Sequence, residues 1–164
     1  MCAVETEQFI NDVVENYSDM MFRVAYNITC NRDDAFDVCQ DVFVKLMKNK
    51  NKINNNVHLK AWLIRVTINC AKNFKKQAYN RLTVSLNELS GIRADNIDDK
   101  LVLTSCVHKL PEKYKTAIYL FYYENMSINE ISRLLGISEN TVKSRLVRGR
   151  EKLRTILEKE NYNG

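Results

Sequence analysis

Met126-Ser127-Ile128-Asn129-Glu130-Ile131-Ser132-Arg133-Leu134-Leu135-Gly136-Ile137-Ser138-Glu139-Asn140-Thr141-Val142-Lys143-Ser144-Arg145-Leu146 is the stretch whose reading decides the fold. Ser127-Ile128-Asn129-Glu130 spells a capping box, in which the serine hydroxyl accepts an amide proton and the glutamate reaches back. Met126 and Ile131 occupy the two positions of a hydrophobic staple around that cap. Ile128, Ile131, Leu134 and Leu135 then line one face of a short helix. Gly136 can take the left-handed conformation that stops the helix, and Ile137 is expected to drop into the core. Ser138 caps the next helix, with Ile137 and Val142 as a second staple. Two capped helices joined by Gly136-Ile137-Ser138 predict a helix-turn-helix.

The second of these helices divides into two faces. Val142, Leu146, Gly149, Leu153 and Leu157 fall on a core stripe, so Asn140, Lys143, Ser144, Val147 and Arg148 point outward. An outward valine gains nothing in water, whereas a thymine methyl would use it. Ser144 and Arg148 suit base edges, and Arg148 can grip guanine with two bonds. Lys143, Arg145, Arg150 and Arg154 suit phosphates, which position a helix without reading sequence. The plain alternative is an amphipathic helix with a solvated basic side; the caps, the glycine turn and Val147 together favour DNA.

Upstream, the same periodicity lays out further helices. Phe9, Val13, Tyr17, Met20, Val24 and Ile28 recur at one-face spacing. Asn31 can cap a second helix, with Asp33 and Asp34 well placed against its dipole, burying Ala35, Val38, Val42 and Leu46. Residues 48–56 are rich in Asn and Lys and read as a loop. A third helix shows the stripe Leu59, Leu63, Val66, Cys70 and Phe74, with Lys60, Arg65, Asn69, Lys72, Asn73 and Lys76 on its other side. Residues 81–103 lose the pattern and form the expected linker between modules 1–80 and 104–164. A short helix then leads to Pro111, which suits the first turn of a helix over 112–123 burying Tyr114, Ala117, Ile118 and Phe121. One proline and four glycines leave few strand signals, so the expected fold is all-α: two small helical bundles joined by a flexible linker.

Charge sharpens this organisation. Residues 1–44 carry nine acids and two bases, whereas residues 45–80 carry nine bases and no acid. A solvated surface mixes its signs, so the acid-free stretch points to a polyanion partner. At 164 residues, with 15 aromatics, the chain is neither a disordered tail nor a large enzyme. No apolar run approaches the ~20 residues that span a bilayer, so membrane insertion is not expected. The five scattered cysteines do not resemble a disulfide framework and suit a reducing cytoplasm; Cys39, Cys70 and Cys106 fall on apolar stripes. Cys30, His58 and His108 lack metal-ligand spacing, so neither a metal nor any other cofactor is expected. No paired carboxylates, nucleophile–base set or phosphate-cradling loop suggest catalytic residues.

Asp34-Ala35-Phe36-Asp37-Val38-Cys39-Gln40-Asp41-Val42-Phe43 and Leu59-Lys60-Ala61-Trp62-Leu63-Ile64-Arg65-Val66-Thr67-Ile68-Asn69 resemble sigma domain two of the bacterial extracytoplasmic-function sigma factors. Leu110-Pro111-Glu112-Lys113-Tyr114 and the stretch from Met126 to Leu153 resemble sigma domain four of the same family. The resemblance implies a factor that directs core RNA polymerase to promoters. Asp37, Gln40 and Asp41 would dock on the beta-prime clamp helices, and the beta flap is a further polymerase surface such a factor meets. Asn54, Asn55, Asn56, Lys60, Trp62, Arg65, Asn69, Lys72 and Asn73 would engage the minus-ten element and capture the opened strand. The chain departs from the family at Asn73, where an acid is common. Asn140, Lys143, Ser144, Arg145, Val147, Arg148 and Arg150 would read the minus-thirty-five element. Promoter DNA and core polymerase are the implied partners, with room for an anti-sigma factor.

Two other readings stay open on the residues alone. A stand-alone regulator could bind duplex DNA through 142–153 and dimerise through 1–80, although a dimer surface should be apolar where 45–80 is basic. The other is a nucleic-acid enzyme with a helical catalytic domain, which an activity needing divalent metal and lost on mutating Asp37 or Asp41 would support. Trp62 stands open between a core residue and a platform for unstacked bases.

Overall fold

The computed structural model describes residues 3–50, 53, 56–82 and 106–162. The chain is all-α, and its contacts divide it into two compact units, Met1–Ser90 and Gly91–Gly164. The division lies inside the stretch read as a linker, most of which falls outside the described residues.

The first unit is a three-helix bundle of α1 (Ala3–Thr29), α2 (Arg32–Asn49) and α3 (Asn56–Leu82), each packed on the other two. The turn between α1 and α2 is set locally. Cys30 takes φ 55°, which ends α1, and the Asn31 side chain accepts the Asp34 amide at 3.0 Å to start α2. The core collects Met21, Val24, Ala25 and Ile28 from α1, and Ala35, Val38, Val42 and Leu46 from α2. α3 supplies Leu59, Leu63, Ile64, Ile68, Cys70 and Ala71. Thr67 is buried among them because its hydroxyl donates to the Leu63 carbonyl at 2.7 Å, so no polar group is stranded.

Here the expected α3 stripe needs correction. Val66 and Phe74 are only half-buried, and the buried arc is broader and turned toward Ile64, Thr67 and Ala71. α1 and α2 both press on α3, and two neighbours require a wider apolar arc than one. α3 also continues through Leu82, two residues into the stretch read as linker.

In the second unit a helical turn at 106–108 brings Cys106, Val107 and Leu110 into the core. α4 (Glu112–Tyr122), α5 (Ile128–Leu135) and α6 (Glu139–Tyr162) complete it. Pro111 stands at the N-cap of α4, one position before its first turn, where its carbonyl accepts the Tyr114 and Lys115 amides. α4 is buried at every position from Tyr114 to Leu120, while Phe121, expected inside, is half-exposed. The capping box closes as read: Glu130 N–H donates to the Ser127 hydroxyl and Ser127 N–H to the Glu130 carboxylate. Gly136 has φ 66°, and Ser138 accepts the Thr141 amide at 3.1 Å. Ile131, Val142 and Leu146 seal the junction of α5 and α6; Ile128, Leu135 and Ile137 are half-buried at its edge.

Gly149 is where α6 crosses α4. A Cβ there would lie 2.7 Å from Ile118 Cδ1 and 3.3 Å from Tyr114 Cβ. The missing side chain lets the two helices approach closely.

Candidate nucleic-acid interface

Because Val142, Leu146 and Gly149 are buried, α6 turns Asn140, Lys143, Ser144, Val147 and Arg148 to solvent, with Val147 46% exposed. These five form one outward surface on the first half of the helix. Ser144 donates its hydroxyl proton to the Asn140 carbonyl at 3.0 Å, which leaves its oxygen lone pairs facing out. Arg145 is half-buried at the edge of this surface. Arg150 is exposed on the opposite flank, where it donates to the Tyr122 hydroxyl at 2.9 Å and lines a small apolar groove with Val107, Ile118 and Leu153. Arg154, further along, pairs with Glu158 at 3.0 Å. The basic residues of α6 therefore belong to two flanks and not to one continuous patch.

A groove of about 370 Å³ runs along the flank that holds Arg148. It is lined by Asn140, Thr141, Ser144, Arg145 and Arg148 from α6 and by Lys113 and Tyr114 from the first turn of α4. The sequence reading gave Lys113 no role and took Tyr114 as core alone; the signal was Pro111, which sets the residues after it into a first helical turn. The Lys113 ammonium lies 5.0 Å from the Tyr114 ring centroid, and Lys152 lies 5.9 Å from it. Burial of Tyr114 pushes its phenol up, but the nearby Lys113 and Arg148 charges outweigh this and hold it below its ordinary value.

In the first unit, Arg65, Asn69, Lys72, Asn73 and Lys76 are exposed on one face of α3, and half-buried Trp62 shares that face. Lys60 does not. It is half-buried and stands four residues before buried Ile64, on the packed side of the helix. His58, one turn before Trp62, is exposed on the face that Lys60 leaves. Asn54 and Asn55 lie outside the described residues, and so does the side chain of Asn56, which opens α3.

Asp37, Gln40 and Asp41 are exposed together on α2. Phe36, Val44 and Met47, each about half-exposed, run along the same side at i, i+8 and i+11, with Gln40 between them. Sequence periodicity missed this apolar ridge because it sought the buried face. Phe36 also packs on Phe22 at 4.7 Å, and the Arg32 guanidinium sits over Phe22 at 5.8 Å. Burial raises the Asp34 carboxyl, with further push from the Asp37 and Asp33 carboxylates.

Cys39, Cys70 and Cys106 are buried as expected, and burial pushes the Cys39 thiol up to about 11. Among the described residues, no three His, Cys, Asp or Glu side chains gather into a group that could hold a metal. No helix among them is long and apolar enough to cross a membrane.

Comparison with known proteins agrees across both units. The Sigma-70 region 2 family model matches residues 13–81, and the Sigma-70 region 4 model matches residues 100–153. The ECF RNA polymerase sigma factor SigW of Bacillus subtilis is 32% identical, over 89% of this chain and 87% of its own. SigV of the same organism, an RNA polymerase sigma factor, is 28% identical over 96% of both chains. In fold, the chain is similar to the sigma factor RpoE of Bartonella quintana, solved with the anti-sigma factor NepR, at a TM-score of 0.80 and 19% identity over 93% of this chain and 98% of that one. Two helical modules, an outward polar and basic surface on α6 and these relatives lead to one assignment: the chain belongs to the ECF RNA polymerase sigma factors and serves promoter-directed transcription initiation.

Proposed function

We propose that the three surfaces divide the work of initiation. α6 enters the major groove of the minus-thirty-five element, where Asn140, Ser144, Val147 and Arg148 meet base edges and Lys143 and Arg145 hold phosphates. Arg150, tied to Tyr122 on the other flank, steadies the helix from outside the reading surface. The face of α3 built from Trp62, Arg65, Asn69, Lys72 and Asn73 takes the opened minus-ten strand, together with Asn54, Asn55 and Asn56 before it. Lys60 assists from the packed side of that helix end. The ridge of Phe36, Asp37, Gln40, Asp41, Val44 and Met47 on α2 docks on the beta-prime clamp helices, and the second unit meets the beta flap. The protein works in the cytoplasm by binding alone and carries out no covalent chemistry. An anti-sigma factor fits as its regulator, since the similar RpoE was solved with one.

The observation that carries this reading is the outward set on α6. Val147 and Arg148 are exposed side by side while Val142 and Leu146 one turn away are sealed. Run-off transcription with purified core polymerase on genomic fragments tests it. Wild-type protein should yield discrete transcripts, and Arg148→Ala should lose about 1–3 kcal/mol of promoter discrimination. Discrete transcripts undiminished by that substitution would remove Arg148 from the reading set.

A further inference from the structure

A helix laid in a major groove about 12 Å wide is bordered by two phosphate backbones, one along each of its flanks. The cations of α6 cover those flanks unequally. Lys143 and Arg145 are two residues apart, about 200° around the helix, so they stand on opposite sides. Lys143 is exposed and has exposed Arg150 on its side, whereas Arg145 is half-buried next to half-buried Thr141.

On that second flank α4 supplies a further cation. Lys113, exposed on the first turn of α4, lines the same groove as Asn140, Ser144, Arg145 and Arg148. Asn140, Ser144 and Arg148 also belong to the outward surface of α6, so groove and surface are continuous. Among the described residues that line the groove, none is acidic. Glu139, next to Asn140, is engaged elsewhere and accepts from the Asn129 amide at 2.8 Å. The Lys113 ammonium lies 5.0 Å from the Tyr114 ring centroid, and the Lys152 ammonium of α6 lies 5.9 Å from the same centroid. That ring is only 7% exposed, so it is a fixed floor that gathers cations from two helices. Like charges held against one ring repel each other, and an anion bound there relieves the repulsion.

We propose that Lys113 is a phosphate-binding residue of the promoter complex: from outside the reading helix it holds the DNA backbone that borders the Arg145 flank of α6. This rests on the reading that α6 enters the major groove. A compact ammonium suits a phosphate as a point charge and fixes the position of the duplex without reading its sequence.

The test uses holoenzyme assembled from core polymerase and the full chain. The probes are a promoter fragment obtained from the run-off assay and copies altered at single minus-thirty-five positions. Lys113→Gln should weaken binding about three- to tenfold at physiological salt, and equally on all these fragments. It should also lower the slope of log affinity against log salt by about one, as one lost phosphate contact does. Lys113→Arg should keep both affinity and slope. Lys159→Gln, which removes the same charge from the exposed far end of α6, should leave both close to wild type. A loss confined to one base position, an unchanged salt slope, or an equal loss in Lys159→Gln would overturn the proposal. Unaltered DNA affinity with weakened assembly on core polymerase would give the groove to an acidic protein surface and overturn it as well. Arg148→Ala separates the two readings. If it relaxes one base position while Lys113→Gln changes nothing, α6 reads DNA without this contact and only the proposal falls. If Lys113→Gln weakens every fragment evenly while Arg148→Ala relaxes nothing, the backbone contact stands and the base-reading assignment fails.

Discussion

α3 and α6 both present basic faces, yet they are held differently. α3 has 27 residues and seals Leu59, Leu63, Ile64, Thr67, Ile68, Cys70 and Ala71 between α1 and α2. α6 has 24 residues and, among those whose burial is described, seals Val142, Leu146 and Gly149. Up to Ala71 a broad buried arc leaves α3 a narrow exposed ridge, suited to a single row of contacts along one strand. A slim buried stripe leaves α6 more than half its surface, enough for the proposed base-reading residues in the middle and charges on both flanks. How much of a helix is buried thus limits what kind of nucleic acid its other side can address.

That comparison can be broken by substitution. Leu63→Ala, at a site with no exposure and neighbours on two sides, should cost about 4 kcal/mol, toward the upper end of the range for buried leucines. Leu146→Ala should cost closer to about 2 kcal/mol, since Leu146 keeps slight exposure and belongs to a slimmer buried stripe that can collapse into the space. Urea unfolding measures both, and Trp62, the sole tryptophan, reports the first unit by its fluorescence. Equal costs would mean that the two helices are gripped alike.

Gly149→Ala sharpens the picture for α6. A helix interior gains up to ~1 kcal/mol from alanine over glycine, but a methyl 2.7 Å from Ile118 Cδ1 and 3.3 Å from Tyr114 Cβ overpacks a tight crossing by about 1–3 kcal/mol. The net should be a loss of about 1 kcal/mol in unfolding measurements on the full chain. A stabilised variant would show that the crossing has slack.

His108 gives an effect that shows only as the pH is lowered. Burial, helped by the Lys115 charge, lowers it to about 4 from an ordinary value of 6.5. The folded value is the depressed one, so stability is full above about pH 6.5, declines as pH falls toward about 4, and is flat below that. Amide exchange along α6 should report this decline in the second unit, and His108→Gln should flatten it. A wild-type slope equal to the variant's would assign the pH dependence to other groups.

Local signals were legible in proportion to how locally they act. The capping box at Ser127, the left-handed Gly136 and the Ser138 cap each involve residues within a turn, and each forms as read. The outward surface of α6 followed from its stripe because its buried residues Val142, Leu146 and Gly149 keep to one narrow line. The α3 stripe was misjudged at Val66 and Phe74, and Lys60 was set on the wrong side, because a helix with two packing partners has no single apolar line. Thr67 reads as polar in sequence and becomes core only by donating to Leu63. The groove that Tyr114 and Arg148 share joins distant segments, and no periodicity within either helix encodes it.

The glycine at the crossing of α4 and α6 has one last consequence. The approach of α4 and α6 leaves no room for even one added carbon at this position, so the present standoff of the two helices depends on glycine. New promoter preferences in descendants of this protein should therefore arise by exchanging side chains at Asn140, Ser144, Val147 and Arg148 over an unchanged backbone, and the glycine itself should be the last position to drift.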